Sequence, residues 1–199
     1  QYVSSRIRIM KSINGLPDSV DLKSAVSLGT GVIAMDTSDK SNYFFRCHTD
    51  NYTNLDLTCD ASSKSPVNIS TDSSLASQSR TLDSVTFFFT TNPATSTSTF
   101  YLDNGQTSLI SVDVQDSLDA NKLVLFRDNT GMFYGLVVNI NHDTIYGFSY
   151  DPIALSISAL DPINAATFGL ANDLCIKSIS SNSDPNFLEI AALSRCDSD

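Results

Sequence analysis

Short apolar runs separated by turn-forming residues dominate the chain from residue 29 onward. Within many of these runs apolar and polar positions alternate: Val85, Phe87 and Phe89 share one face, and Thr86 and Thr90 share the other. A period of two is the pattern of a half-buried β-strand. The pattern predicts nine strands, at residues 30–36, 42–48, 54–59, 84–91, 98–103, 108–114, 121–127, 131–140 and 144–150.

Clusters of Asp, Asn and Gly predict hairpin turns at residues 103–105, 128–131 and 141–143. Regular hairpins without long helices between them are typical of an antiparallel sandwich or barrel. Residues 60–82 are the low-complexity stretch of the chain and predict a long surface loop. A domain boundary there would leave a small domain on each side, so one domain is expected.

One helix is predicted near the C-terminus, at residues 156–170. Ser156 or Ser158 would cap its start, and Gly169 would end it. Residues 1–28 alternate only briefly and predict no regular element of their own. The apolar face of the helix would carry Leu160, Ile163 and Phe168.

Composition narrows the functional classes. The chain has 199 residues and is 41% hydrophobic, which is ordinary for a globular protein with a real core. Its 22 acidic residues outnumber its 12 basic ones, so the formal net charge is -10. Because nucleic-acid binding needs clustered Lys and Arg, this acidity argues against a nucleic-acid partner. No apolar run approaches the length of a membrane span, so none is expected.

The cysteines and two glycosylation sequons favour a secreted, disulfide-bonded protein. No cysteine belongs to a CxxC pair, so a zinc or redox site is not expected. The sequons place candidate glycans on Asn51 and Asn68, both in turn-rich stretches. The four cysteines are Cys47, Cys59, Cys175 and Cys196.

The spacing of the cysteines bears on their pairing. A tight hairpin centred on residues 50–53 would place Cys47 opposite about residue 55. Cys59 would then lie too far along for the Cα spacing of about 5.5–6 Å that a disulfide needs. Pairing of Cys47 and Cys59 each with a C-terminal cysteine is therefore favoured, and whether Cys47 takes Cys175 or Cys196 stays open.

Two distant segments carry a resemblance to a known family. Gly29-Thr30-Gly31 precedes the strand-like stretch that holds Cys47, and residues 150–155 precede the predicted helix. In this order they resemble the lipocalins, especially the apolipoprotein D and insect bilin-binding branch. The family tryptophan would fall on Gly31 and the family arginine on Tyr150.

The resemblance implies an all-β fold, an antiparallel eight-stranded up-and-down barrel with one C-terminal α-helix. It implies a single lipocalin-like domain over residues 1–199. Similar lipocalins tie the cysteine of the second strand to the tail that follows the helix. The implied parts are an N-terminal segment at 1–28, the barrel at 29–150, the helix at 156–170 and a disulfide-tied tail at 171–199.

A barrel of this size can hold one small apolar molecule. The chain is therefore expected to be a secreted, extracellular carrier or scavenger of a small hydrophobic ligand, and not an enzyme. The family suggests a bilin, fatty acid, retinoid or amine as the ligand. No cofactor is indicated apart from such a ligand. Aromatic residues within the strands either fill such a barrel or line its cavity. The expected ligand-binding residues are Phe87, Phe89, Tyr101, Tyr134, Tyr146 and Phe148.

Two other functions stay open at this point. One is a non-enzymatic interaction or structural module with a filled core, which would contact a protein partner through its outer face or through residues 60–82. The other is an enzyme in which Asp36 and Asp103 share a proton, as paired carboxylates do in aspartic proteases. The glycine expected two residues after Asp36 is replaced by Ser38, and the threonine expected after Asp103 is replaced by Asn104. Neither His48 nor His142 has a partner at metal-site or catalytic-triad spacing.

Overall fold

The fold is all-β throughout the described residues, and no α-helix occurs among them. Strands form three larger sheets and two short two-stranded pairs, accompanied by short 3-10 helices. The chain divides into two compact units, residues 1–67 and 68–199. The computed structural model describes residues 13–28, 30–51, 56–68, 79–92, 94–106, 108–119, 123–170, 173–176, 180–181, 188–189 and 193–195.

The first unit is built on a six-stranded sheet. Its strands are β1 (Ile13–Asn14), β2 (Val20–Leu28), β3 (Gly31–Asp36), β4 (Ser41–Asn51), β5 (Asp56–Cys59) and β6 (Ser65–Val67). The strand order is β1-β5-β4-β3-β2, and β6 also pairs with β4. β1 runs parallel to β5, while the other pairs are antiparallel. Val20, Val32, Ala34 and Phe45 pack with Cys59 to form the core on one face.

The second unit contains two sheets with four strands in the main path of each. The first has the order β10-β9-β8-β7, and the second has the order β11-β12-β13-β14, with β15 also pairing with β13. β16 pairs with β19 and β17 with β18. The strands are β7 (Arg80–Leu82), β8 (Val85–Asn92), β9 (Thr97–Asp103), β10 (Ile110–Val114), β11 (Val124–Arg127), β12 (Phe133–Val138), β13 (Thr144–Asp151), β14 (Ser156–Ala159), β15 (Ile163–Asn164), β16 (Leu174–Ile176), β17 (Ser180–Ser181), β18 (Leu188–Glu189) and β19 (Leu193–Arg195).

These two sheets pack face to face as a β-sandwich, with β7 beside β11 and β10 beside β14. Large rings from both inner faces fill the space between them. Phe100 of one sheet stacks on Phe148 of the other with 3.9 Å between ring centroids. Phe87 packs between Phe100 and Phe133 at 5.8 and 6.4 Å. All four rings are at most 3% exposed, so the interior is a packed core.

The predicted eight-stranded barrel is therefore wrong. The alternation that predicted each strand is real, but it does not determine whether strands close into one barrel or divide into facing sheets. At Gly31, the position of the family tryptophan, there is also no room for a side chain. A Cβ atom added at Gly31 would lie 2.6 Å from the Phe44 ring and would clash with the Phe45 carbonyl. No side chain fits there without displacing backbone.

The predicted helix at residues 156–170 is also wrong. Its first residues form β14, which pairs with β13. Pro162 has no amide hydrogen and disfavours helical backbone at the residue before it, so a helix cannot run through this position without disruption. Leu160 instead packs against Gly147 and donates its amide to the Gly147 carbonyl at 2.8 Å. Only Ala165–Phe168 turns helically, as a 3-10 helix that Gly169 ends at φ 69°.

All nine predicted strands are confirmed, within a few residues at each end. β2 was missed. Its register against β3 shifts between Asp21 and Val26, so its inward-facing residues do not keep a strict period of two. β6 and β7 were missed within residues 60–82, the stretch predicted as a loop.

The expectation that Cys47 and Cys59 would each pair with a C-terminal cysteine is wrong, because these two cysteines form a disulfide with each other. β4 continues to Asn51, which pairs with Asp56, so the hairpin turn lies about two residues later than the sequence indicated. That shift places Cys47 directly opposite Cys59, with 4.0 Å between their Cα atoms. Cys175 is also disulfide-bonded, and Cys196 lies outside the described residues.

Candidate functional site

Four connections of the sandwich lie together at one end of the second unit. Arg127 donates from Nη1 to Asp83 Oδ2 at 2.9 Å, and Asn104 donates from Nδ2 to the Tyr150 hydroxyl at 3.1 Å. Each of these bonds joins a connection of one sheet to a strand of the other sheet. The four connections, here called the loop end, are residues 83–84, 104–106, 128–132 and 152–155.

The turn between β7 and β8 is the shortest of the four. Asp83 and Ser84 both adopt left-handed backbone, at φ 48° and 67°. Positive φ at both central residues is typical of the type I′ hairpin turn, whose twist matches that of the strands it joins. Asp tolerates this conformation better than most residues. The turn therefore has one preferred geometry.

The turn at 128–132 is organised by one carboxylate. Asp128 Oδ1 accepts hydrogen bonds from the Thr130 amide at 2.9 Å, the Thr130 hydroxyl at 2.7 Å and the Met132 amide at 2.9 Å. Partial burial acts to raise the pKa of Asp128, but these hydrogen bonds outweigh it and hold the pKa below its usual value. Asp128 therefore stays ionised and keeps the turn in place at neutral pH.

The turn at 152–155 has a similar anchor. Asp151 Oδ1 accepts from the amides of Ile153 and Ala154 at 2.8 and 3.1 Å. Pro152 fixes its own φ angle. Leu155 has φ 52°, a left-handed conformation that costs a non-glycine residue roughly 1–2 kcal/mol. Proteins tend to hold such strain at sites where function requires a particular backbone shape.

The loop end presents apolar side chains to solvent. Ile153 is 92% exposed, the largest value among the exposed large hydrophobic residues described, and Leu155 is 40% exposed. Exposed isoleucine at a turn tip gains nothing from burial in the folded chain. An apolar group held on a rigid turn is well suited to contact another molecule.

Arg127 ties two of the turns together. Besides its ion pair with Asp83, its Nε donates to the Gly131 carbonyl at 3.3 Å. Its guanidinium lies over the Phe133 ring, 5.0 Å from the centroid. The ion pair is about half exposed, so it contributes little to stability. Its geometric effect is to fix the two turns relative to each other.

The six residues expected to line one cavity do not converge. Phe87, Phe89 and Phe148 lie in the packed core, with Tyr146 beside it. Tyr101 lies on the other face of β9 and stacks on Phe88 at 5.0 Å. Tyr134 lies on the outer face of β12 and stacks on Phe126 at 4.9 Å. Burial is the main cause that raises the pKa of both tyrosines.

A second polar cluster lies at the opposite end of the sandwich. Asn139, which is 3% exposed, donates to both Asp116 and Asp143 at 3.0 and 2.7 Å. The side-chain carbonyl oxygen of Asn139 accepts from the backbone amides of Asp143 and Thr144. The Tyr146 hydroxyl donates to Asp116 at 2.9 Å; burial, and then this bond, raise the pKa of Tyr146 to about 12. Every polar atom of the Asn139 amide is occupied, so the cluster holds the hairpin in shape.

The first unit contains the other notable charge pair. Lys64 Nζ lies 2.7 Å from Asp36 Oδ2 and 3.9 Å from the centroid of the Tyr43 ring. The hydrogen bond from Lys64, followed by those from Ser38, holds the pKa of Asp36 well below its usual range. Asp36 thus has a basic partner within its own unit, whereas Asp103 belongs to the other unit.

The structure describes the asparagine side chain at one of the two predicted sequons. The Asn68 side chain is exposed. The backbone amide of Asn68 donates to the Tyr101 hydroxyl at 2.7 Å, and its backbone carbonyl accepts from the Thr90 hydroxyl at 2.9 Å. The Asn51 side chain lies outside the described residues. Glycosylation at both positions stays a prediction.

Among the described residues, no group of three or more His, Cys, Asp or Glu side chains is arranged to hold a metal ion. Within the same part of the chain, no helix has the length and apolar character needed to cross a membrane.

No family model matches the chain, and no curated protein matches it. Among solved structures, the chain is similar to an exo-β-1,3-galactanase from Phanerochaete chrysosporium with β-1,3-galactotriose, at 11% identity and a TM-score of 0.34. The match covers 84% of this chain and 42% of the galactanase chain, so this chain spans less than half of that protein's length. A likeness this weak supports no statement about function.

Sequence reasoning missed the loop end because residues 150–155 were interpreted as the end of a barrel strand. A signal was present. Asp151 followed by Pro152 is typical of a turn, since Asp accepts from amides two residues on and proline favours the next turn position. Ile153 then falls on the tip of the turn, where an apolar residue is exposed.

Proposed function

We propose that this chain is a secreted, non-enzymatic β-rich interaction module that binds a partner through the loop end. The observation that carries the proposal is Ile153, 92% exposed on a turn that Asp151 holds in one conformation. Loops at one end of a rigid sandwich are a common place for binding sites, as the variable loops of immunoglobulin domains illustrate.

The packed interior supports this function over carriage of a small molecule. A carrier needs an enclosed volume next to the residues that contact its ligand. Here Phe100 and Phe148 stack at 3.9 Å, where a ligand would otherwise lie. The Cys47–Cys59 disulfide supports an oxidising compartment, since disulfides persist mainly in secreted proteins.

The proposal is tested by photo-cross-linking. The benzophenone amino acid p-benzoylphenylalanine replaces Ile153 in one variant and Ile140 in another, and each is irradiated in the extracellular fluid of the source. Ile140 is 58% exposed on the 139–143 turn at the opposite end of the same sandwich, so it is a matched control. We expect a discrete protein adduct from position 153 and none from position 140.

Equal adducts from both positions, or none from either, would contradict the proposal. Native mass spectrometry of the unmodified protein from the same fluid provides a second test. A small apolar molecule that stays bound to the protein would favour the carrier function instead.

A further inference from the structure

The geometry points to a partner of defined chemistry: a basic protein segment whose bulky apolar side chains pack around Ile153 and whose Lys and Arg side chains face the loop end. This inference rests on the proposed function and specifies what the loop end recognises.

The apolar part of the inference follows from the shape of the 152–155 turn. Ile153 lies at the tip and Leu155 lies two residues on at 40% exposure. An isolated exposed isoleucine is unremarkable on a protein surface. This one stands on a turn with two side-chain-to-amide bonds and a strained Leu155, so little conformational entropy remains to be lost on binding. Bulky apolar side chains of the partner would bury it.

The charged part follows from the residues around the tip. Asp83, Asp128 and Asp151 stand on or beside three of the four connections, and Arg127 is the basic residue among the described residues of this end. Arg127 is already paired with Asp83 at 2.9 Å. The loop end therefore carries an excess of negative charge, in a chain whose net charge is -10. Complementary potential favours a basic partner and disfavours an acidic one.

The same charge weighs against a lipid surface as the occupant. Exposed apolar tips also insert into membranes, but membranes with anionic lipids attract basic segments. Asp151 on the turn of Ile153, and Asp83 and Asp128 on or beside other turns of the loop end, would be repelled from an anionic surface. Binding to vesicles through Ile153 is accordingly an outcome that would overturn the inference.

The test uses the whole protein immobilised by a biotin tag and a phage library of random dodecapeptides as the probe. We expect the enriched peptides to combine bulky apolar residues with Lys or Arg. Ile153→Ser should lower their affinity about tenfold or more, because burial of an isoleucine side chain is lost. Raising sodium chloride from about 0.05 M to about 0.5 M should weaken binding by screening the charges.

One variant serves as a control and a second tests the neighbouring apolar residue. Ile140→Ser removes an isoleucine that is 58% exposed at the opposite end and should leave affinity unchanged. Leu155→Gly relaxes the left-handed backbone and removes the second apolar side chain. It should reduce affinity while the far-UV circular dichroism spectrum stays the same, which separates a binding role from a purely structural one.

The outcomes distinguish this inference from the proposed function. Cross-linking at position 153 together with peptides that are acidic, or whose binding does not depend on Ile153, would overturn the inference and leave the proposed function standing. Absence of both cross-links and peptides would overturn both. Ile153-dependent sedimentation with phosphatidylcholine–phosphatidylserine vesicles would also overturn the inference.

Discussion

Truncation of Phe148 distinguishes a packed sandwich from a ligand cavity. Phe148 is fully buried and stacks on Phe100 with 3.9 Å between centroids and 8° between ring planes. A Phe→Ala change in a packed core costs about 3–5 kcal/mol, since the lost transfer energy adds to the cost of the void. The stacked pair places Phe148→Ala near the upper part of that range, because aromatic pairs contribute about 0.5–1.5 kcal/mol beyond burial.

The assay is urea unfolding of the wild type and Phe148→Ala, followed by far-UV circular dichroism. Phe168→Ala is the matched control, because Phe168 is 45% exposed in the same unit; it should change the free energy of unfolding by no more than about 0.5 kcal/mol. A ring that lined an open cavity would have fewer packing partners to lose. A loss below about 1.5 kcal/mol for Phe148→Ala would refute the packed core.

Benzene provides an independent measurement on the same proteins. The void left by Phe148→Ala is lined by apolar groups, and such voids stay dry and take up benzene. Saturating benzene should therefore raise the unfolding midpoint of Phe148→Ala and leave that of the wild type unchanged. A benzene-dependent rise in the wild type would reveal an existing cavity and contradict the account.

Three further predictions follow from the pairings described. A non-reduced tryptic digest, after enzymatic deglycosylation, should give peptide 47–64 lighter by two hydrogen atoms, because it contains both Cys47 and Cys59; linkage to a C-terminal peptide would be the contrary result. Asp36→Asn should lower the free energy of unfolding at neutral pH. The difference from wild type should narrow as pH falls below about 4, because Asp36, whose pKa is lowered in the fold, stabilises the protein only while its carboxylate is ionised. Urea titrations that show the same difference at every pH would refute this. In ultraviolet titration, the difference between wild type and Tyr146→Phe should reveal a phenol with a pKa of about 12, because burial and Asp116 raise it; a midpoint near 10 would contradict the Tyr146–Asp116 bond.

Strand positions were predictable from the sequence because alternation is a local property. Val85, Phe87 and Phe89 do share the inner face of β8. Their partners Thr86 and Phe88 on the other face are buried as well, which alternation alone does not show. How the strands divide among sheets depends on contacts far apart in the chain, and no local pattern encodes them.

The disulfide and the helix show two different limits. The hairpin turn lies about two residues later than predicted, and this shift in register places Cys47 directly opposite Cys59. The helix prediction followed the spacing of Leu160, Ile163 and Phe168, yet Pro162 carried the stronger local constraint. The loop end was missed because the feature that marks it is the exposure of Ile153. From the sequence alone, an isoleucine at the tip of a turn cannot be distinguished from one at the buried end of a strand.

Hydrogen–deuterium exchange of the protein with a bound library peptide tests the central claim most directly. The account predicts slower exchange of the amides in the 83–84, 128–132 and 152–155 turns on binding, with the 139–143 turn unchanged. Protection confined to the 139–143 turn, or to the core strands β8 and β13 with the loop end unchanged, would contradict it.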